Sequence, residues 1–429
     1  MRTMQIATKL KGWMQAVAAV TLLATLAACG GGGSDNSSSN SSDALNGGTL
    51  PVSPSMQPIA ATASNTVPIT VGQGVSGVIN IPTVSVTICA PNSTTNCQTV
   101  NNIQVDTGSF GLRVVSSVLN STLLNALPKS TLAGSSSLLA ECATFADGYT
   151  WGSVRTGTVG IGGETTSAAI PLQTIGDIGT TTLPSGSCGT GAPENTVSDL
   201  GANGILGIGT APNDCGANCL NVNNSNYFAC PSGSTCSRTP VTEAQQVANP
   251  VAKFPVDNNG VIVQMPPIGN TGAASATGTL VFGVGTQSNN ALTATQSFTT
   301  DTYGNLANSV FNGATVTAFL DSGSNGYFFG DSTLALCSST YSGFYCPSSA
   351  QTRSITLVGL NNVSSSANIG ILSAATLFSN GSNYAFNNLA GQIGGNTDFD
   401  LGLPFFYGRH VFYGIDKTAS GGAAPYVAF

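Results

Sequence analysis

Apolar residues along this chain recur in short alternating runs, and helical spacing is rare. Val67-Pro-Ile-Thr-Val, Val78-Ile-Asn-Ile, Val84-Ser-Val-Thr-Ile, Ile103-Gln-Val, Thr158-Val-Gly-Ile and Thr279-Leu-Val-Phe are rich in β-branched side chains and are bounded by Gly, Asn, Pro or Ser. Such runs predict strands closed by turns. Helical periodicity is confined to residues 114–127 and 333–336. Residues 84–88 and 99–105 read as a hairpin stapled by Cys89 and Cys97, so that Asp106 ends its second strand. Residues 315–320 run into Asp321 in the same way. The 53 glycines suit a chain of many tight turns.

The first 64 residues follow other rules. Arg2, Lys9 and Lys11 precede an apolar stretch over residues 13–28 that is too short for a membrane span, which predicts a signal peptide over residues 1–28. It ends in Leu26-Ala-Ala-Cys29, which resembles the bacterial lipobox and implies lipid on Cys29. Residues 30–64 hold mostly Gly, Ser, Asn and Pro and cannot bury enough apolar surface to offset their ordering entropy, so residues 29–64 read as a lipidated tether. Gly30, rather than an aspartate, resembles the pattern of lipoproteins exported to an outer membrane. The expected place is the bacterial cell envelope, facing either the periplasm or the surface.

Three of the 11 basic residues lie in the signal, so 8 remain against 18 acidic ones, a balance of −10. Nucleic acid is therefore a poor partner. Few charges also mean few salt bridges to lose in acid. Cys29 apart, ten of the 11 cysteines remain, an even number suited to disulfides in an oxidising compartment. Cys89 with Cys97 and Cys337 with Cys346 close short loops, while the pairing of Cys215, Cys219, Cys230 and Cys236 stays open. With one histidine, His410, and no Cys-x-x-Cys pair, no metal site is expected. His410 has no Ser or Cys nucleophile nearby in sequence and reads as a hydrogen-bonded strand residue.

Residues 105–109 read VDTGS and residues 320–324 read LDSGS, 215 positions apart. One such turn can be an aspartate capping its own backbone. Composition predicts roughly 0.05 copies of D-[ST]-G-S per chain, so a pair calls for another account. If the two turns meet across a pseudo-two-fold axis, their carboxyls share one proton. The ionised member then serves as general base to a water and the protonated member polarises a carbonyl. Thr107 and Ser322 would bond across the axis, Ser109 and Ser324 would orient the outer carboxylate oxygens, and Gly108 and Gly323 would allow the close approach.

These motifs resemble the catalytic pair of the pepsin-like aspartic peptidases, and other segments follow in that family's order. Tyr149-Thr-Trp-Gly-Ser153, 43 residues after Asp106, is similar to the flap motif and would place Tyr149 and Trp151 over the substrate. Ala202-Asn-Gly-Ile-Leu-Gly-Ile-Gly209 resembles the strand beneath the first catalytic loop. Residues 400–416, DLGLPFFYGRHVFYGID, look like its second-lobe counterpart, and residues 279–285 resemble the lobe junction. The resemblance implies an all-β, bilobal acid-protease fold of two pseudo-two-fold related, barrel-like lobes with a few short helices. The first lobe would span residues 65–285 and the second 286–429.

The implied activity is a monomeric aspartic endopeptidase with a peptide or protein substrate, apolar side-chain pockets and no cofactor. Its link to the membrane would be the lipid on Cys29. Arg113 stands where many members carry a tryptophan that bonds the flap tyrosine, and Asn203 replaces a common acidic residue. Residues 215–255 match nothing in the pattern and read as a disulfide-stapled insertion. The competing reading is a pepsin-fold surface lipoprotein that binds a peptide, glycan or protein without cleaving it.

Overall fold

The computed structural model describes residues 48–189 and 191–429; the expected signal peptide, Cys29 and the first part of the expected tether lie outside the described residues. Strands dominate. The three α-helices among the described residues, Ser121–Ala126, Val197–Leu200 and Ala374–Leu377, have six residues or fewer.

Two copies of one strand arrangement organise the molecule. Cys97–Asp106 lies parallel to Gly204–Ile208, with Asp106 opposite Gly207. That inner strand also runs antiparallel to Phe110–Val115, which leaves the first aspartate turn. In the second half Ala314–Asp321 lies parallel to Asp398–Gly402, with Asp321 opposite Gly402. Asp398–Gly402 in turn runs antiparallel to Tyr327–Phe329. Glycine opposite each aspartate is a packing requirement: a Cβ on Gly207 would lie 2.5 Å from the Phe110 nitrogen. This is the two-lobed, all-β acid-protease architecture expected from the sequence.

A shared sheet joins the halves. Thr66–Val71 pairs with Ala276–Phe282, which pairs with Gly260–Gln264. Gly260–Gln264 then takes His410–Gly414 as its other neighbour, and Tyr426–Ala428 bridges that strand to Ser297–Thr299. The second lobe's own sheet runs from the hairpin Gln351–Val358 and Ser364–Ile371 through Leu306–Phe311 to the Asp321 strand. His410 sits at the start of its strand with Nε2 2.8 Å from the Gln57 carbonyl. Cys89–Cys97 and Cys337–Cys346 are bonded as expected, and Cys142–Cys188, Cys215–Cys219 and Cys230–Cys236 complete the set.

Several local expectations give way to tertiary contacts. Residues 78–81 form a turn instead of a strand. Asn80 there adopts φ 51°, is fully buried, and donates from Nδ2 to the carbonyls of Asn325 and Phe386. Its Oδ1 accepts from the Phe386 N–H and the Tyr407 hydroxyl, so one side chain ties the first lobe to the second. The helix expected over 114–127 shrinks to Ser121–Ala126, capped by Asn120, because Val114 and Val115 are taken into the strand Phe110–Val115. Residues 333–336 form no helix: Asp331 accepts from the Thr333 N–H and from Arg353 Nε, which fixes a turn, and Leu336 bridges to Tyr345. Residues 48–64 belong to the body rather than to a tether. Leu50 is buried in a second-lobe cluster, Met56 N donates to the Gly408 carbonyl, and Thr279 Oγ1 donates to the Ile59 carbonyl.

Candidate active site

The two aspartate turns meet. Gly108 N–H donates to Asp106 Oδ1 and Gly323 N–H to Asp321 Oδ1, each at 2.8 Å, so each carboxyl first closes its own turn. Each glycine then abuts the opposite turn's acid. A Cβ on Gly108 would lie 2.5 Å from Asp321 Cγ, and one on Gly323 would lie 2.7 Å from Asp106 Cγ. Only glycine lets the carboxyls face each other so closely.

The hydroxyls between the turns are reciprocal. Ser322 N–H donates to Thr107 Oγ1 at 2.9 Å and Thr107 N–H donates to Ser322 Oγ at 3.2 Å. Thr107 Oγ1 passes its own proton to the Leu320 carbonyl, and Ser322 Oγ to that of Val105, so each turn is pinned to the opposite aspartate strand. Gln104 Nε2 adds a bond to the Gly323 carbonyl, and the Tyr413 hydroxyl donates to the Leu320 carbonyl from below. The outer oxygens differ. Ser109 Oγ lies 2.5 Å from Asp106 Oδ2, but Ser324 Oγ lies 3.1 Å from Asp321 Oδ2 and 2.6 Å from Asp400 Oδ2.

Burial and the charge of Asp321 push Asp106 far above the usual carboxylate range, against the pull of the Ser109 and Gly108 bonds. The pair therefore retains a shared proton where two isolated aspartates would both ionise. The two carboxyls lie in one cavity of about 630 Å³. Its wall mixes Phe110, Phe145 and Phe319 with Asp214, Asp301 and several asparagines, which replaces the expected apolar pockets with a surface of both kinds.

The flap hairpin is present, in another register. Leu138–Thr144 pairs with Gly148–Ile161, and Phe145 N–H closes the turn onto the Gly148 carbonyl. The turn therefore precedes Tyr149. Trp151 is fully buried, edge-on to Phe228, and Tyr149 packs against the same cluster behind the hairpin. Ala143, Thr144, Phe145 and Ala146 line the cavity in their place. The Asp147-Gly148 dipeptide, a strong turn signal, marks this tip in the sequence.

Arg113 does not reach the flap tyrosine. It is buried, donating from Nη1 to the Phe110 carbonyl and from Nη2 to Glu141 Oε1 and Asp214 Oδ1, both at 2.6 Å. Glu141 belongs to the flap strand and Asp214 leads into the insertion. The insertion's strand Tyr227–Cys230 also pairs with Leu138–Thr144. Burial works against Arg113's charge, but the two carboxylates outweigh it and hold the guanidinium above its usual range. Burial lifts Glu141 well above the carboxylate range in spite of Arg113. Arg113 thereby fastens the Leu138–Thr144 hairpin and the insertion to the strand that leaves the first aspartate turn.

These shifts predict an acid-leaning stability curve. Asp106 and Glu141 are raised, so the folded state binds more protons than the unfolded chain above about pH 4, and stability grows as pH falls from neutral toward that value. Asp331 and Asp416 work the other way. Against burial, hydrogen bonds from Thr333 and Arg353 hold Asp331 low and bonds from Thr418 and Thr302 hold Asp416 low, so their contribution is lost below about pH 4. The melting temperature should peak at roughly pH 4 to 5. A curve that climbs steadily from pH 4 to pH 8 would contradict these assignments.

Sequence reasoning missed Asp400, Gln104, Tyr413 and Phe145 as parts of the site, since nothing local sets them apart from strand residues. Among solved structures, the chain resembles an aspartic proteinase from Irpex lacteus, with TM-score 0.46 and 16% sequence identity over 85% of this chain and 97% of that one. No curated protein matches it in sequence. The family model that matches residues 61–429 is described as protein of unknown function (DUF3443), and the chain belongs to that family.

Proposed function

We propose that the protein is an aspartic-type endopeptidase in which Asp106 and Asp321 activate water for direct attack on a peptide carbonyl. The observation that carries this reading is the crossing of the two turns, each glycine against the opposite carboxyl and each hydroxyl on the opposite strand. A binding protein has no need of that crossing. The ionised carboxylate takes one proton of a water held between the pair as its oxygen bonds to the carbonyl carbon, while the protonated carboxyl gives its proton to the carbonyl oxygen. In the second step the acid just formed protonates the amide nitrogen and the C–N bond breaks. The other carboxylate recovers a proton from a hydroxyl of the diol, and the pair again holds one proton. The substrate lies extended in the cavity beneath the turn that Phe145 opens. A lipid on Cys29 would tether the enzyme to a membrane of the bacterial envelope.

Incubating the purified protein with a denatured protein and a random peptide pool between about pH 3 and 6 tests this, with cleavage read by mass spectrometry. Internal cleavage with a bell-shaped pH profile, blocked by a statine-type hydroxyl mimic, is the expected result. Peptides recovered intact at every pH would leave the second reading, a surface lipoprotein that binds without cleaving.

A further inference from the structure

The two lobes treat their outer serines differently, and Asp400 is the reason. Gly207 and Gly402 face the two aspartates, so the positions two residues before them, Ile205 and Asp400, are equivalent by the pseudo-symmetry. In the first lobe that position is apolar, and Ser109 gives its proton to Asp106 alone. In the second it is a buried carboxyl, and Ser324 stands between Asp400 at 2.6 Å and Asp321 at 3.1 Å. One hydroxyl proton cannot serve both. We propose that Asp400 is a third member of the proton-sharing system, coupled to Asp321 through the Ser324 hydroxyl, and that it extends the working range of the dyad toward higher pH.

The argument is one of like charges in a buried site. Three carboxyls joined by one serine and crossed glycines titrate as a unit, and each added negative charge opposes loss of the next proton. Arg113, which lines the same cavity, is committed to Glu141 and Asp214. Tyr413, packed beneath the dyad, is held far above its usual range by burial and stays neutral. Asp301 also lines the cavity and carries the same sign as Asp400. On the neighbouring strands Asp400 lies opposite Phe319 and Phe328, which do not titrate, while Tyr327 lies opposite Leu401 on the other face. Asp398, on the same face of its own strand, accepts from the Thr397 hydroxyl. Burial and the charge of Asp321 already raise Asp106.

The proposal rests on the endopeptidase reading only for its kinetic readout. Two variants separate charge from shape: Asp400→Asn keeps an oxygen for Ser324, and Asp400→Ile reproduces the first lobe's Ile205. In both, the alkaline limb of the kcat/KM profile should move down by about one pH unit. A limb that stays in place, or a rate that falls equally at every pH, would overturn the proposal. A second measurement needs no turnover: titration of carbon-13-labelled aspartate carboxyls by NMR in wild type and Asp400→Asn. The later titration step of the dyad should fall to lower pH in the variant, and an unchanged step is a refutation. If no peptide is cleaved yet that step moves, the coupling stands and the endopeptidase reading falls.

Discussion

Replacing either Asp106 or Asp321 by asparagine should lower kcat/KM by roughly 10³- to 10⁴-fold while leaving the fold in place. Asparagine keeps the oxygen that accepts from Gly108 or Gly323, and its amide can still meet the outer serine, so the turn geometry survives. What disappears is the shared proton. With one amide in the pair, the site has either a base or an acid but cannot exchange the two roles within a turnover. The measurement is a pair of pH profiles beside thermal melts. Full activity in either variant would end the endopeptidase reading, and loss of activity accompanied by unfolding would show only that the turn had failed. The Asp106→Asn melt should also lose part of the acid-side stabilisation, since Asp106 is one of the raised carboxyls.

The second large effect is expected at Arg113. Arg113→Met fills much of the same volume and removes the cation between Glu141 and Asp214, which costs about 3–5 kcal/mol when one partner of a buried ion pair is lost. The cost comes from leaving the Asp214 carboxylate without its cation in a nearly closed site. Urea midpoints of the variant and wild type test this. Adding Asp214→Asn to Arg113→Met should restore part of the stability at neutral pH, because it removes the stranded charge. Equal midpoints for Arg113→Met and wild type would mean that the guanidinium does not hold flap and insertion as described.

How far the sequence could be read follows the range of the forces involved. Alternation placed the hairpin that ends at Asp106, because strand pairing at short separation and the Cys89–Cys97 staple are written locally. The repeated D-[ST]-G-S drew attention to two turns that the structure brings face to face. Asn80 was unreadable, since its left-handed turn exists to satisfy groups 245 to 327 residues away. The valines of residues 114–115 obeyed a strand 90 residues further on rather than their own helical spacing. The flap motif misled because Tyr149 lies just past the turn, so its side chain falls behind the hairpin. Asp400 could have been noticed as the buried one of two acids in the strand Asp398–Gly402, but its significance depends on Ser324, 76 residues earlier. Residues 48–64 lack the composition of a core, and a few anchors such as Leu50 suffice to seat them.

The strand His410–Gly414 bears on when the proposed activity can arise during synthesis. It pairs with Gly260–Gln264, and its Tyr413 holds the carbonyl of Leu320, directly before the second aspartate. A chain emerging from the ribosome has both aspartate turns long before it has this strand, at synthesis rates of about 5–20 residues per second. Until residues 410–428 arrive, the sheet that joins the lobes lacks two strands, and the base of the Asp321 turn is unsupported. On the proposed endopeptidase reading, a chain that stops before residue 410 carries both aspartates without the strand that braces the second of them, so the order of synthesis puts the acid pair together last.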